Sequence, residues 1–120
     1  MGEKSRLRRT ISAWANSTDQ HARDMRRTFT EPGLECIADA PDRERVRLRG
    51  TLRSVTLRPR GGVPALEGEL YDGSGSVTIV WLGRRQIAGI VPGVSMQVEG
   101  RIGVHDDQRI VYNPRYELMP

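Results

Sequence analysis

From Arg45 onward, apolar and polar residues alternate along the chain. In RVRLRGTLRSVTL, which starts at Arg45, apolar residues at positions 46, 48 and 52 alternate with arginine and threonine. A period of two predicts a long strand with one buried face and one solvated face. Gly50 lies in the middle of this strand, where a residue without a side chain allows a sharp bend. A strand that bends can pair with two different neighbours, which the closure of a small barrel requires.

Four further strands are predicted after the first. Their sequences are ALEGELY, SVTIVWL, VSMQVEGRIGV and RIVYNPRYEL, the last ended or bent at Pro114. Asp72-Gly73-Ser74-Gly75 predicts a tight hairpin turn, HDDQ predicts another turn, and GRRQIAGIVPG can hold one or two helical turns. This order predicts an all-β protein, a five-stranded OB-fold Greek-key barrel with a short helix between strands 3 and 4.

The first 44 residues differ from the rest in composition. Residues 1–30 predict an N-terminal α-helical segment, because apolar residues recur at steps of three and four from Leu7 to Phe29. This face could dock on the barrel, pair with a second chain, or fold only on contact. Residues 31–44 hold five acids, one arginine, two prolines and a glycine, and predict a solvated acidic linker. We therefore expect a helical segment at 1–30, a linker at 31–44 and the barrel at 45–120.

The charge of the chain favours polyanionic partners. It carries 19 basic and 15 acidic residues, a net charge of +4, and Lys4 is the only lysine. The planar guanidinium of arginine binds phosphate through two hydrogen bonds and can lie flat on a base. Codon usage in a GC-rich genome explains the excess of arginine over lysine at least equally well.

Several classes of protein are disfavoured by the sequence. Cys36 stands alone, and His21 and His105 lack partners at metal-ligand spacing, so we expect no metal and no cofactor. Neither a phosphate-binding loop nor a nucleophile elbow is present, which indicates a protein that is not an enzyme. The longest apolar run is far shorter than a membrane span, and no signal peptide is evident. We therefore expect a cytoplasmic protein without a membrane partner.

The barrel region also resembles a known group of domains. DGSGSVTIVWLG, IVPGVSMQVEGRIG and IVYNPRYE resemble the second hairpin, the fourth strand and the last strand of OB domains of the anticodon-binding type. That type includes the wedge domain of branched-DNA helicases. The chain is also similar to small stand-alone actinobacterial OB-fold proteins with a short N-terminal helical region. The resemblance covers about residues 45–118 and implies an OB fold and single-stranded nucleic acid as ligand.

In an OB fold, ligands bind to the outer side of strands 2 and 3, flanked by the loops after strand 1 and between strands 4 and 5. Arginines near this surface are candidates for phosphate binding, and an outward-facing tyrosine is a candidate for base stacking. The candidate nucleic-acid-binding residues are Arg53, Arg58, Arg60, Tyr71, Arg84, Arg85, Arg109 and Arg115.

The positions of the aromatic residues follow from the strand pattern. Trp81 shares a face with Val77 and Ile79 and is predicted to lie inside the barrel. Tyr71 is predicted to face outward beside Glu67 and Glu69, whose carboxylates repel phosphate. Tyr112 is predicted to lie inside, because it shares a face with Ile110, whereas Tyr116 could face either way.

Two functions are compatible with this pattern. The first is a non-enzymatic OB-fold protein that contacts single-stranded DNA or RNA weakly and without strong sequence preference. The alternative is a protein–protein adaptor or assembly subunit, in which the barrel is a scaffold. The N-terminal helix would then mediate homodimerisation or bind another protein.

Overall fold

The computed structural model describes residues 19–29 and 34–120 of the chain. Residues 19–29 are helical (α1), and the predicted helical residues before position 19 lie outside the described part. No helix in these two ranges is long and apolar enough to cross a membrane. A short 3-10 helix spans Ile37–Asp39, and six strands follow. The strands are β1 (Arg45–Leu57), β2 (Ala65–Tyr71), β3 (Ser76–Leu82), β4 (Ser95–His105), β5 (Gln108–Tyr112) and β6 (Arg115–Leu118).

The barrel closes on β1. Residues 45–51 of this strand pair antiparallel with β4, and residues 51–57 pair antiparallel with β2. β2 pairs with β3, β3 runs parallel to β5, and β5 pairs with β4. The ring is thus complete in the order β1-β2-β3-β5-β4-β1. The predicted five-stranded OB-fold barrel is confirmed.

The apolar residues of the alternating pattern fill the barrel. Val77, Ile79 and Trp81 all point inward from β3, and Trp81 is only 5% exposed. The ring of Trp81 therefore packs in the core, as its position in the strand predicted, and is not available to stack on a ligand. The same interior cluster includes Leu48, Leu52, Leu66, Leu70, Met96, Val98, Ile102 and Val111.

The segment between β3 and β4 forms turns where a short helix was predicted. Ile87 and Ile90 from this segment are buried in the barrel core, and the amide of Ile90 donates to the carbonyl of Ile87 over 3.1 Å. The two isoleucines thus close the end of the barrel without a regular helix. Because residues three apart lie on one side of either a helix or a tight turn, the sequence pattern fits both structures.

The last predicted strand is divided at Asn113 and Pro114. Asn113 has a positive φ of 47°, a conformation that asparagine tolerates better than most residues. Its side-chain oxygen accepts a hydrogen bond of 2.9 Å from the amide of Leu82, which fixes the corner. β6 then pairs with β4 rather than continuing along β5. Tyr116 on β6 is 41% exposed and meets the Trp81 ring edge-on, with 5.9 Å between the ring centroids.

Residues 34–44, predicted to be a solvated linker, lie against the barrel. Ile37 is fully buried and joins the barrel core. Arg109 on β5 holds the segment in place. Its guanidinium donates to the carbonyl oxygens of Ile37, over 2.6 Å, and Ala40, and to the carboxylate of Asp42, over 2.9 Å. The acidic segment is thus attached to the barrel by a charged group from a distant part of the chain.

The buried carboxylate of Asp72 joins three parts of the molecule. It accepts hydrogen bonds from the amide of Ser74 over 2.9 Å and from the amide of Ile37 over 3.0 Å. Arg26 of α1 lies 2.7 Å from the same side chain. A buried carboxylate needs such partners because its desolvation is otherwise costly. The described part of the helix is thereby docked at the β2–β3 turn, one of the arrangements predicted for it.

The changeover of β1 between its two neighbours depends on Gly50. A Cβ added at Gly50 would lie 2.7 Å from the carbonyl oxygen of Tyr71, which is backbone and cannot move aside. We predict that Gly50→Ala lowers the free energy of unfolding by about 1–3 kcal/mol, the usual cost of overpacking. Urea denaturation followed by circular dichroism measures this loss.

Gly103→Ala is the matched control for this substitution. Gly103 also lies in a strand, and the nearest atom that its Cβ would meet is the Ile110 carbonyl oxygen at an ordinary 3.6 Å. This variant should be as stable as the parent or slightly more stable. Equal stability of the Gly50 and Gly103 variants would contradict the close approach of β2 at residue 50.

Candidate ligand-binding groove

An open groove of about 430 Å³ crosses the outer side of β1, β2 and β3. One end is bordered by the β1–β2 loop, residues 58–64, and one side by the β4–β5 turn. Its lining is rich in hydroxyl groups and in charged groups of both signs. The side chains that face it include Ser54, Thr56, Arg58, Glu67, Glu69, Ser76, Thr78, Asp107, Gln108 and Arg109. This is the surface on which an OB fold is expected to bind ligands.

Arg53 lies at an irregularity in β1. The pairing of β1 with β2 shifts between Leu52 and Ser54, so Arg53 is the extra residue of a bulge. Its guanidinium pairs with the carboxylate of Glu69 and lies 3.9 Å from the centroid of the Tyr71 ring. Tyr71 faces outward, as its strand pattern predicted, and one face of its ring is covered by this arginine.

Arg60 folds the β1–β2 loop onto the sheet. Arg60 and Val63 exchange both backbone hydrogen bonds, at 2.9 and 3.0 Å, around Gly61 and Gly62. The positive φ angles of these glycines, 56° and 79°, form a tight hairpin turn. The Arg60 guanidinium donates over 3.1 Å to the carboxylate of Glu67.

The same guanidinium donates over 3.1 Å to the hydroxyl of Tyr112. Glu67, Val80 and Tyr112 are direct neighbours in register across β2, β3 and β5. Arg60 therefore passes above Val80, which is fully buried. The Nε of Arg60 is buried and has no hydrogen-bond partner within the described residues.

Tyr112 lies outside the barrel, so the prediction that it lies inside is wrong. It shares a face with Ile110, as expected, but that face is the outer one, and Tyr112 is 43% exposed. Ile110 is buried there with Ala65 and Val80 in a small cluster separate from the barrel core. The interior position on β5 is taken by Val111 instead. Since apolar residues occupy both faces of β5, alternation could not assign its direction.

The positive and negative charges of the groove are paired and nearly cancel. Glu67, whose side chain is 15% exposed, lies 3.1 Å from Arg60 and 3.8 Å from Arg58. Arg58 is the more accessible of the two, with 66% of its side chain exposed. Two outward tyrosines thus each carry an arginine, and each arginine is tied to a glutamate of β2. The arrangement can bind an anion if these ion pairs rearrange.

The remaining sequence candidates occupy other places. Arg109 borders the groove but is already bonded to the segment at 37–42. Arg84 and Arg85 are exposed in the β3–β4 loop, and neither faces the groove. Arg115 lies on β6, which pairs with β4 away from β2 and β3. The structure thus brings Arg53, Arg58, Arg60 and Tyr71 together and leaves Arg84, Arg85 and Arg115 apart.

Sequence reasoning missed part of this surface. Tyr112 was assigned to the core, and the hydroxyls of Ser54, Thr56 and Thr78 were not considered as groups of the site. The alternating pattern of strand 3 could have placed the hydroxyl of Thr78 on the outer side of the sheet. For Tyr112 the sequence carried no clear signal.

Comparison with known proteins bears on the fold. Among solved structures of similar fold is a chain of a replication protein A heterotrimer bound to single-stranded DNA. The match has a TM-score of 0.52 and 12% sequence identity, and covers 80% of this chain and 75% of that one. No protein-family model matches the sequence, and no curated protein matches it.

Proposed function

We propose that this protein is a non-enzymatic OB-fold module that binds single-stranded DNA or RNA weakly and without strong sequence preference. The observation that carries the proposal is the groove across β1, β2 and β3, which is lined by hydroxyl groups and by Arg58 and Arg109. Tyr71 and Tyr112 lie outside the barrel on β2 and β5, each with an arginine over its ring. Arginine forks suit phosphates, and aromatic rings suit unpaired bases. The similar fold of a chain from an assembly bound to single-stranded DNA supports the proposal.

Weak affinity follows from the ion pairs of the groove. Arg58 and Arg60 share the carboxylate of Glu67, and Arg53 pairs with Glu69. A phosphate must compete with these carboxylates, which remain beside it after the arginine has turned away. Each new contact therefore replaces an existing one, and the net gain in free energy is small.

The absence of strong sequence preference follows from the chemistry of the same residues. Guanidinium groups contact phosphates, which are identical in every nucleotide. The ring of Tyr71 is covered by Arg53 at 3.9 Å, so a base would displace this guanidinium or stack upon it. Stacking is tolerant of sequence because every base has a π-face.

The second candidate function is that of a protein–protein adaptor or assembly subunit. α1 is docked on the barrel through Arg26 and Asp72, and Phe29 at its end is only 5% exposed. This docking uses part of the helix that could otherwise bind a second chain. A homodimer or protein partner would then be contacted mainly through residues before position 19, which lie outside the described part.

The anticodon-binding or helicase-wedge subtype, the actinobacterial likeness and the cytoplasmic location stay predictions from the sequence.

Removal of the Glu67 charge should strengthen binding. Glu67→Gln retains a side-chain oxygen that can accept from Arg60 but removes the negative charge beside the two loop arginines. We predict a gain of about 1 kcal/mol, or about fivefold in affinity for a thymidine oligonucleotide at low salt. Fluorescence anisotropy measures the change. The control is Glu44→Gln, an exposed acid away from the groove, which should bind like the parent. Equal affinities for all three proteins would exclude competition by Glu67.

Reversal of the Arg58 charge should have the opposite effect. We predict that Arg58→Glu weakens single-strand binding about tenfold or more, because one charged contact is lost and a repulsive one is added. The slope of log affinity against log salt should fall by about 0.7, as expected for one lost phosphate contact. Arg84→Glu has the same change in net charge outside the groove and is the control. Equal losses in the two variants would remove the β1–β2 loop from the binding surface.

A further inference from the structure

A second arginine-rich surface lies on the outer side of β1, β4 and β6. It is formed by the outward residues of the first half of β1, the paired part of β4, and β6. We call it the β1–β4–β6 face. Its charged and amide side chains are Arg45, Arg47, Arg49, Gln97, Glu99, Arg101, Arg115 and Glu117. None of these residues borders the groove.

The register of the strands places like charges together on this face. Arg45 on β1 lies directly opposite Arg101 on β4. Like charges opposite each other on neighbouring strands destabilise a sheet. In the next row, Glu99 of β4 lies between Arg47 of β1 and Arg115 of β6. The face carries five arginines and only two carboxylates. This is more positive charge than cross-strand ion pairing needs to stabilise the sheet.

Several of these arginines are available to a ligand. The Glu99 carboxylate is engaged by Arg45, with 3.1 Å between Nε and Oε1. Arg47, Arg101 and Arg115 are exposed, and within the described residues their side chains have no hydrogen bond or ion pair. In the groove, by contrast, the two arginines of the β1–β2 loop both pair with the carboxylate of Glu67. The positive field of the molecule is therefore less compensated on the β1–β4–β6 face.

The chemistry of the β1–β4–β6 face selects among polyanions. Its outward positions carry no aromatic side chain. Tyr116, at an alternate position of β6, is 41% exposed beside this face, but its ring meets that of the core residue Trp81 edge-on. A single strand would gain little stacking there, whereas a duplex presents phosphates alone and keeps its bases paired. We propose that the β1–β4–β6 face binds the phosphate backbone of double-stranded nucleic acid. This binding does not depend on the groove, because the two surfaces share no residue.

The test uses the double variant Arg47→Ser/Arg115→Ser of the full chain. Its affinity for a blunt DNA duplex is measured by fluorescence anisotropy over a series of salt concentrations. We expect the affinity to fall about tenfold or more at low salt, and the slope of log affinity against log salt to fall by about 1.8, for two lost phosphate contacts. The affinity of this variant for a thymidine oligonucleotide should stay within about twofold of the parent's affinity, which is on the order of the measurement error. Arg84→Ser/Arg85→Ser loses the same charge outside both surfaces and should retain duplex binding.

Three results would overturn the proposal. The first is a parent protein that does not bind the duplex at low salt. The second is equal duplex affinity in the two double variants, which would leave only net charge as the cause. The third is equal competition by polyglutamate and duplex of matched charge, which would assign the face to an acidic protein. The single-strand titration reports on the groove separately, so failure of one surface is distinguishable from failure of the other. Both replaced arginines are exposed and unpartnered in the described structure, so the variants should fold.

Discussion

The structure depends on one strand that must pair with two neighbours. β1 leaves β4 and joins β2 at Gly50 and Thr51, where the β2 backbone comes too close for any side chain at residue 50. This changeover closes the barrel, and it also divides the outward residues of β1 between two surfaces. Arginines before the changeover lie beside β4 and β6, whereas Arg58 lines the groove above β2 and Arg53 lies over Glu69 and Tyr71. The distribution of charge over the molecule is thus a consequence of strand topology.

The two surfaces differ in how their charge is compensated. In the groove, Glu67 and Glu69 lie beside the arginines that would bind a phosphate, and Arg60 holds the loop on the sheet through Glu67 and Tyr112. The Arg53–Glu69 pair is exposed, and exposed ion pairs contribute only about 0–1 kcal/mol to stability, so a ligand can exchange this pair at small cost. The Arg60–Glu67 pair is partly buried. On the β1–β4–β6 face, Arg47, Arg101 and Arg115 have no such partners within the described residues. We therefore expect single strands to bind to the groove and duplexes to bind to the β1–β4–β6 face, both with a dependence on salt.

Much of the barrel could be predicted from the sequence, because each strand has a buried face with a period of two. The inward direction of Trp81 followed from Val77 and Ile79 on the same strand. Prediction failed where local pattern did not decide the structure. Tyr112 follows two apolar residues that face opposite sides of β5. The bulge at Arg53 depends on register with β2, and the attachment of residues 37–42 depends on Arg109 far along the chain. Such contacts are set by tertiary structure, which alternation does not encode.

We propose that single-stranded nucleic acid lies across the groove of β1, β2 and β3. The most direct test of this proposal is a titration of the isotopically labelled protein with a thymidine oligonucleotide, followed by amide resonances in two-dimensional NMR spectra. We expect the shifted resonances to cluster on the β1–β2 loop, the outward residues of β2 and β3 such as Tyr71 and Thr78, and the β4–β5 turn. Shifts confined to other parts of the barrel, or no shifts at low salt, would contradict the proposal.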